Sequence, residues 1–381
     1  MKAEAMMLMR ILRTIAMRKL NQFVLAVTCL LAGQICFAQP QPGNELFMID
    51  KDGKSGYIDA TGKVVIAPQF DSVNGFREGL ALVTRAGKKF FIDTSGRVVF
   101  EAKFDIVDGF SEGLAAVNIG QTTIAHIGII DKPGKWGYID KNGKLALPMK
   151  FTHAESFSEG LAAVRDGDRS GFIDHTGKMI FEVPLDVTLG FHEGIAGVLY
   201  RGLLAYFDRT GKQISPPLGY GPSNHSFSEG LVPVEIKGKT GFMDRAGQIV
   251  IEPQFVGAED FHEGLAPVRV HSDETTWCPT EPSGSRKGFT NKWGFIDKTG
   301  KLVIPPQYES VNEFSGGLAA INNCEEAFFI DKTGKKVITG DFTYATSLAG
   351  GLALVHLKGK DFGWWGYIDR SGKLVWGPVK R

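Results

Sequence analysis

One short phrase recurs nine times along this chain of 381 residues: an aromatic residue, a hydrophobic residue, aspartate, two variable residues and glycine. It reads "KWGYIDKNGK" at 135–144 and "KWGFIDKTGK" at 292–301. The commonest distance between successive aspartates is 34 residues, and self-similarity at a fixed period of this size is typical of repeat architectures. The nine aspartates are Asp59, Asp93, Asp140, Asp174, Asp208, Asp244, Asp297, Asp331 and Asp369.

A second phrase, built on Glu-Gly-Leu, follows each of the first eight copies, as in "FSEGLA" at 110–115 and 157–162. Between the phrases, apolar residues form short β-rich runs such as "KVVI" and "LALV", bounded by Gly, Pro or Asp. The tetratricopeptide repeat has the same period, but its helices need apolar residues three and four positions apart. We therefore predict a three-stranded antiparallel unit, in which strand A ends at the aspartate, strand B follows the Asp-to-Gly turn and strand C follows Glu-Gly.

A three-stranded unit of about 34 residues is too small to bury its own apolar face, so neighbouring units must stack. Residues 45–59 align without gaps with 79–93, so the array begins on a strand C, whereas 364–376 supply only strands A and B. We expect the two ends to complement each other as a ninth unit. The predicted fold is all-β, a propeller-like closed or nearly closed toroid of nine antiparallel meander units, with an open β-superhelix or solenoid as the alternative.

The first 38 residues differ from the rest of the chain. Basic residues precede the apolar run 23–32, and "CFA" at 36–38 precedes "QPQPG", which is the pattern of a secretory signal peptide. We predict a signal peptide at 1–38, a short linker at 39–44 and a repeat domain at 45–381. The product would be exported and periplasmic, cell-surface or secreted in a bacterium, with no membrane span after signal removal.

Charge and cysteine content narrow the possible partners. Removing five basic residues and one acidic residue with the signal leaves 38 basic against 41 acidic residues. This balance does not predict nucleic-acid binding, which needs a basic patch or stripe. Two cysteines remain, Cys278 and Cys324, and in an oxidising compartment we predict that they form a disulfide.

Two insertions interrupt the period, within 118–135 and within 271–291. Both fall between strand C and strand A, so we expect them to project from the same side, as binding loops or as neutral insertions. The candidate binding residues are in these insertions and in the units that follow them. They are Trp277, His126, Trp136 and Trp293.

No catalytic, metal or cofactor signature stands out. "GFSEG" at 109–113 matches the nucleophile elbow of α/β-hydrolases, but Ser111 occupies a variable slot of the repeat phrase. We expect the nine aspartates to bond backbone N–H groups in their turns rather than to bind calcium. The repeated glutamates either satisfy backbone donors of the adjacent unit or form a carboxylate row at the rim. These are Glu78, Glu112, Glu159, Glu193, Glu229 and Glu263.

The two phrases together resemble the signature of the bacterial WG-repeat (KWG-repeat) family over about 45–381. Departures include Ala205 in place of a signature glycine, and Gly316 and Gly350 in place of the repeated glutamate. The resemblance implies a β-rich repeat domain of exported or surface proteins without catalytic residues or cofactors. We expect a non-enzymatic scaffold for an unknown protein or cell-envelope component. The alternative is a carbohydrate-binding or carbohydrate-processing propeller-like protein with a glycan partner.

Overall fold

The computed structural model describes residues 45–124, 129–219, 225–279, 286–324, 326–359 and 364–380. The predicted signal peptide and linker lie outside these residues. In the described part all regular structure is β-strand, and the strands form nine small antiparallel sheets arranged in a ring. The domain is therefore a nine-bladed β-propeller, which confirms the predicted toroid over the open superhelix.

The strands follow one another blade by blade. Blade 1 contains β1 (Phe47–Lys51), β2 (Lys54–Ile58) and β3 (Val64–Phe70). Blade 2 contains β4 (Ser72–Val73), β5 (Leu80–Arg85), β6 (Lys88–Asp93) and β7 (Val98–Glu101). Blade 3 contains β8 (Ile106–Val107), β9 (Leu114–Ile124), β10 (Ile129–Asp140) and β11 (Leu145–Phe151). Blade 4 contains β12 (His153–Ala154), β13 (Ala162–Asp166), β14 (Arg169–Ile173) and β15 (Met179–Glu182). Blade 5 contains β16 (Val187–His192), β17 (Ile195–Tyr200), β18 (Leu203–Asp208) and β19 (Leu218–Gly219). Blade 6 contains β20 (Leu231–Ile236), β21 (Lys239–Asp244) and β22 (Ile249–Phe255). Blade 7 contains β23 (Gly257–Ala258), β24 (Leu265–Pro279), β25 (Arg286–Asp297) and β26 (Leu302–Tyr308). Blade 8 contains β27 (Ala319–Asn323), β28 (Glu326–Ile330) and β29 (Lys336–Thr339). Blade 9 contains β30 (Phe342–Ala345), β31 (Leu352–Leu357), β32 (Trp364–Asp369) and β33 (Leu374–Lys380).

Within each blade the strands pair in chain order, so that blade 2 runs β4-β5-β6-β7. Its last three strands are the predicted C, A and B. The additional strand, β4, is a short edge strand that precedes strand C. An edge strand of this kind occurs in six of the nine sheets formed by the described residues. The prediction of three strands per unit missed it because most of these edge strands are two residues long and carry no alternating pattern.

The predicted split ninth unit is wrong. Strands β1 to β3 form blade 1 and β30 to β33 form blade 9, each from contiguous sequence. A blade phased C–A–B joins its main strands by local hairpins, so neither end needs to borrow a strand from the other. The ends meet instead through side chains. The Tyr367 hydroxyl donates to the Met48 carbonyl oxygen at 2.9 Å, and its ring meets that of Phe47 at 5.7 Å.

Each aspartate of the repeat organises the turn between strands A and B. In blade 3, Asp140 Oδ1 accepts the backbone N–H groups of Asn142 and Lys144, both at 2.9 Å. The carbonyl oxygen of Asp140 also accepts the N–H of Gly143. The other eight aspartates accept the same two N–H groups, which confirms the predicted turn role.

The glycine of the same turn packs against strand B of the preceding blade. Gly143 has a φ of 77°, and a Cβ there would lie 2.6 Å from the ring of Phe100. Gly62 of blade 1 lies in the same way against Val375 of blade 9. Ring closure therefore repeats a contact that also joins consecutive blades.

The core lies at the seams between blades. The aromatic residue of strand A meets the phenylalanine of the next Glu-Gly-Leu phrase, with ring centroids 4.8–5.4 Å apart. Because the two rings come from successive blades, one blade cannot bury them alone. The pairs are Tyr57–Phe76, Phe91–Phe110, Tyr138–Phe157, Phe172–Phe191, Tyr206–Phe227, Phe242–Phe261 and Phe295–Phe314.

The glycine of the signature Trp-Gly dipeptide permits a close approach of strand B. At Gly56 a Cβ would lie 2.5 Å from the Ile66 carbonyl oxygen and 2.7 Å from Pro68 N, at an irregularity in the pairing of β2 with β3. Blade 5 has Ala205 at this position. There strand B is reduced to β19, which pairs with the start of β18.

We predict that Gly56→Ala destabilises the propeller by about 2–3 kcal/mol, because the new methyl group overlaps backbone atoms that cannot move independently. Urea unfolding of the repeat domain measures the change. Gly75→Ala is the matched control, since a Cβ there has no heavy atom within 4 Å. Equal unfolding midpoints for the two variants would contradict the close-approach explanation.

Candidate functional site

The Glu-Gly phrases form tight two-residue hairpin turns that lead into strand C. Around Glu159 and Gly160, the N–H of Ser158 donates to the Leu161 carbonyl oxygen and the N–H of Leu161 donates back. Glu159 and Gly160 have φ values of 51° and 83°, as in a type I′ turn. The N–H groups of the two central residues take no part in this pair of bonds, so they need acceptors from elsewhere.

The acceptor is the glutamate of the preceding blade. Glu193 Oε1 accepts the N–H of Glu229 at 2.8 Å, and its Oε2 accepts the N–H of Gly230 at 2.7 Å. We call this contact the glutamate latch. It confirms the capping alternative over a free row of rim carboxylates. The residues whose carboxylates accept at least one N–H from the next blade are Glu78, Glu112, Glu159, Glu193, Glu229 and Glu263.

A basic residue of the next blade completes most latches. Lys298 Nζ lies 3.0 Å from Glu229 Oε2 and donates to the Glu229 carbonyl oxygen at 3.0 Å. Burial alone would raise the pKa of Glu193, but hydrogen bonds from Arg245 and the Gly230 N–H hold it below its usual value. The residues that pair with a latch glutamate are Lys141, His175, Arg245, Lys298 and Lys332.

These basic residues were not predicted, because they occupy a variable slot of the repeat, directly after the aspartate. The signal is present nonetheless. Seven of the nine units carry Lys, Arg or His in this slot, whereas the first two carry Ala60 and Thr94. The Asp turn thus places a cation over the latch on the face of the ring where Glu78 and Lys141 meet, which we call the turn face.

The opposite face carries the hairpins between strands C and A, and we call it the hairpin face. Strands β9 and β10 form one extended hairpin and β24 and β25 form another, with strands of 11 to 15 residues where the other blades have five or six. Both insertions therefore prolong the same type of hairpin and leave the ring on the same side, as predicted.

Two of the predicted binding tryptophans have described side chains. Trp136 is buried, 8% exposed, and its ring meets that of His153 at 6.0 Å. Trp293 is half-buried, with the guanidinium of Arg269 5.5 Å from its ring. Trp136 thus contacts β12 of the following blade, whereas Trp293 contacts β24 of its own blade.

The other site predictions fall largely outside the described residues. The backbone of Trp277 pairs with Gly288 in the blade 7 hairpin, but its side chain is outside the described part, as is all of His126. The side chain of Cys278 is also outside it, so its disulfide with Cys324 stays a prediction. The two cysteines belong to the C–A hairpins of blades 7 and 8, on the hairpin face.

Trp293 also lines a cavity of about 350 Å³ where blades 7 and 8 meet. Burial raises the pKa of Glu259 in its wall. His225 Nδ1 lies 2.8 Å from Asp260 Oδ1, and Glu313 accepts a hydrogen bond from the Ser347 hydroxyl at 3.1 Å. An aromatic ring and three carboxyl groups thus border one space, an arrangement suited to a polar ligand with an apolar face. The lining residues are Glu259, Asp260, His262, Trp293, Ser310, Val311, Asn312 and Glu313.

Two absences hold for the described part of the chain. None of its elements is an apolar helix of membrane-spanning length. No three His, Cys, Asp or Glu side chains within it converge as ligands for a metal ion.

Comparison with known proteins identifies one sequence family. A family profile described as "WG containing repeat" matches residues 56–88, 90–122, 136–169, 171–203, 241–272, 293–323 and 328–360, more than half of the chain. The copies around Asp208 and Asp369 fall outside these matches. No curated protein sequence matches the chain.

Solved structures share the fold at low identity. The crystal structure of a eukaryotic initiation factor is 14% identical with a TM-score of 0.57, covering 87% of this chain and 94% of that one. Dihydro-heme d1 dehydrogenase NirN in complex with DHE is 12% identical with a TM-score of 0.42, covering 90% of this chain and 80% of that one. At this identity the likeness to the initiation factor concerns the fold alone. The likeness to the dehydrogenase is too distant to support any inference about this chain.

We predict that Glu193→Gln lowers the free energy of unfolding by about 1–2 kcal/mol, because one charged acceptor facing two N–H groups and Arg245 is lost. Chemical denaturation measures the effect. Glu252→Gln is the matched control, since Glu252 is exposed on β22 and makes no such contact among the described residues. If both variants unfold like the unmodified protein, the latch does not stabilise the ring.

Proposed function

This chain belongs to the WG-repeat family, and we propose that it is an exported, non-enzymatic scaffold that binds a protein or cell-envelope component through its hairpin face. Export rests on the signal-like segment at 1–38. The observation that carries the binding proposal is that the two insertions prolong hairpins on the same face, in blades 3 and 7.

The repeated polar residues support a structural role for the ring. All nine repeat aspartates bond their own turns, and the six repeat glutamates bond the next blade. A catalytic site needs a unique set of groups, whereas these residues recur from unit to unit with the same partners. Their engagement favours a scaffold over an enzyme, and it removes the rim glutamates as candidates for glycan chemistry.

The extended hairpins are suited to a partner because of their backbone. Beyond the level of the blade, each strand of such a hairpin pairs only with the other among the described residues, so its outer edge keeps N–H and C=O groups for a further strand. The pairing continues to Ile124 with Ile129 in blade 3 and to Pro279 with Arg286 in blade 7. Partner binding by strand addition is therefore open to both hairpins.

We predict that shortening the hairpins removes a partner. One variant replaces 272–290 by Lys-Gly, the turn found at Lys237–Gly238, which joins His271 to its paired residue Asn291. The second replaces 120–134 in the same way, joining Ile119 to Lys135. Pull-downs from envelope extract compare each variant and the double variant with the full chain.

We expect at least one variant to lose a component that the full chain recovers, while circular dichroism and unfolding show an intact ring. Each hairpin variant controls for the other, since both carry the same replacement turn. Recovery of every component by the double variant would contradict binding through the hairpin face.

A glycan-binding function is the second candidate, and the cavity between blades 7 and 8 favours it. Trp293 offers a ring, and Glu259, Asp260 and Glu313 offer acceptors for sugar hydroxyl groups. We predict for this candidate that an oligosaccharide binds in calorimetric titration and that Trp293→Ala weakens binding about tenfold or more. Trp136→Phe is the control outside the cavity. Absence of binding across an oligosaccharide set at millimolar concentration would rule this candidate out.

A further inference from the structure

The seam between blades 8 and 9 keeps the donors of a glutamate latch but lacks the glutamate. At the position of the latch residue, blade 8 has Gly316. Blade 9 nevertheless supplies the receiving turn, Gly350–Gly351, and the basic residue after the repeat aspartate, Arg370. All four residues are exposed or half-buried, so the place is open to solvent.

The receiving turn has the same geometry as the occupied ones. The N–H of Ala349 donates to the Leu352 carbonyl oxygen at 2.9 Å, and the N–H of Leu352 donates back at 3.0 Å. Gly350 and Gly351 have φ values of 55° and 90°. Among the described residues, no acceptor bonds the N–H groups of these two glycines.

The basic residue is also in place. Arg370 donates through a guanidinium N–H to the Gly316 carbonyl oxygen. Lys332 makes the corresponding contact to the Glu263 carbonyl oxygen at 2.8 Å and adds an ion pair with the Glu263 carboxylate at 3.2 Å. Arg370 has no carboxylate partner among the described residues, because Gly316 has no side chain to supply one.

Glu45 does not fill the gap. It lies where a side chain of Gly350 would project. In the equivalent residue Glu112, the N–H bonds Glu78 of the preceding blade, whereas the side chain bonds Gly160 of the following blade. By this equivalence the carboxylate of Glu45 lies on the blade 1 side of Gly350, and the unoccupied N–H groups face blade 8.

We propose that this seam binds the carboxylate of a peptide ligand, which takes the place of the missing glutamate between Gly350, Gly351 and Arg370. The ligand class follows from the chain itself, because six equivalent turns each bind a carboxylate. Two adjacent N–H groups and a guanidinium match the two oxygens of that anion. The site is on the turn face, so it is separate from the hairpin face and independent of the function proposed above.

The binding test uses blocked peptides and the amide resonances of Gly350 and Gly351 in a titration followed by nuclear magnetic resonance. Acetyl-Gly-Glu-Gly-amide supplies a side-chain carboxylate, and acetyl-Gly-Gln-Gly-amide supplies none. Acetyl-Gly-Gln-Gly with a free carboxyl end supplies a terminal carboxylate. We expect saturable shifts with at least one carboxylate peptide and none with the amide, and the comparison identifies which source of carboxylate is preferred.

Variants separate this site from non-specific binding. Arg370→Gln should weaken binding about tenfold, since a charged hydrogen-bond donor is lost. Lys141→Gln is the matched control, because it alters an occupied latch between blades 2 and 3. Equal weakening by the two variants, or equal shifts with the glutamine and glutamate peptides, would overturn the proposal, as would the absence of shifts at any peptide concentration tested.

Gly316→Glu should fill the site from within. The φ of 61° at Gly316 is close to that of the latch glutamates, and a Cβ there would meet Arg370 Cζ at an ordinary 3.6 Å. We expect a higher urea midpoint and loss of peptide binding. Retained binding in a folded Gly316→Glu protein would place the ligand elsewhere, and the Arg370→Gln titration decides the question if that variant does not fold.

Discussion

The ring depends on one contact, the packing of the Asp-turn glycine against strand B of the blade before it. The glycine is required twice, for a positive φ and for the absence of a Cβ, as Gly143 against Phe100 illustrates. Gly62 makes the same contact with Val375, which joins the last blade to the first. Closure therefore needs no strand shared between the chain ends. A regular seam contact, with the ring pair Phe47–Tyr367 beside it, is sufficient.

The same turn explains why glutamate occupies a strained position. A non-glycine residue at positive φ is disfavoured by about 1 kcal/mol or more, and type I′ turns favour Asn or Gly. Glu193 is kept at 54° because its carboxylate bonds two N–H groups of the next blade and Arg245. Where the latch is absent, at Gly316 and Gly350, the strained residue is absent too. The Asp turn thus presents its glycine to one neighbour and its cation to that neighbour's glutamate.

The sequence predicted the strands and the Asp turns, and it offered capping as one of two roles for Glu229, because each of these is a local rule repeated many times. It did not predict the phase of the blade, since a periodic sequence reads equally well as A–B–C or C–A–B. The ring contact of Tyr367 with Phe47 and the sheet of β1 to β3 settle the phase. The cavity around Trp293 was also beyond reach, because its wall combines residues from two blades that no single repeat contains.

Specific function in a regular ring has to arise where the regularity fails, because identical units present identical surfaces. The departures here fall on both faces. The extended hairpins of blades 3 and 7 alter the hairpin face, whereas Gly316 alters the turn face by removing one carboxylate and leaving its donors in place. An added hairpin does not show which partner it binds. At a missing latch residue, by contrast, the six occupied equivalents show which chemical group binds there. The substitution at Gly316 therefore specifies its ligand more narrowly than either insertion does.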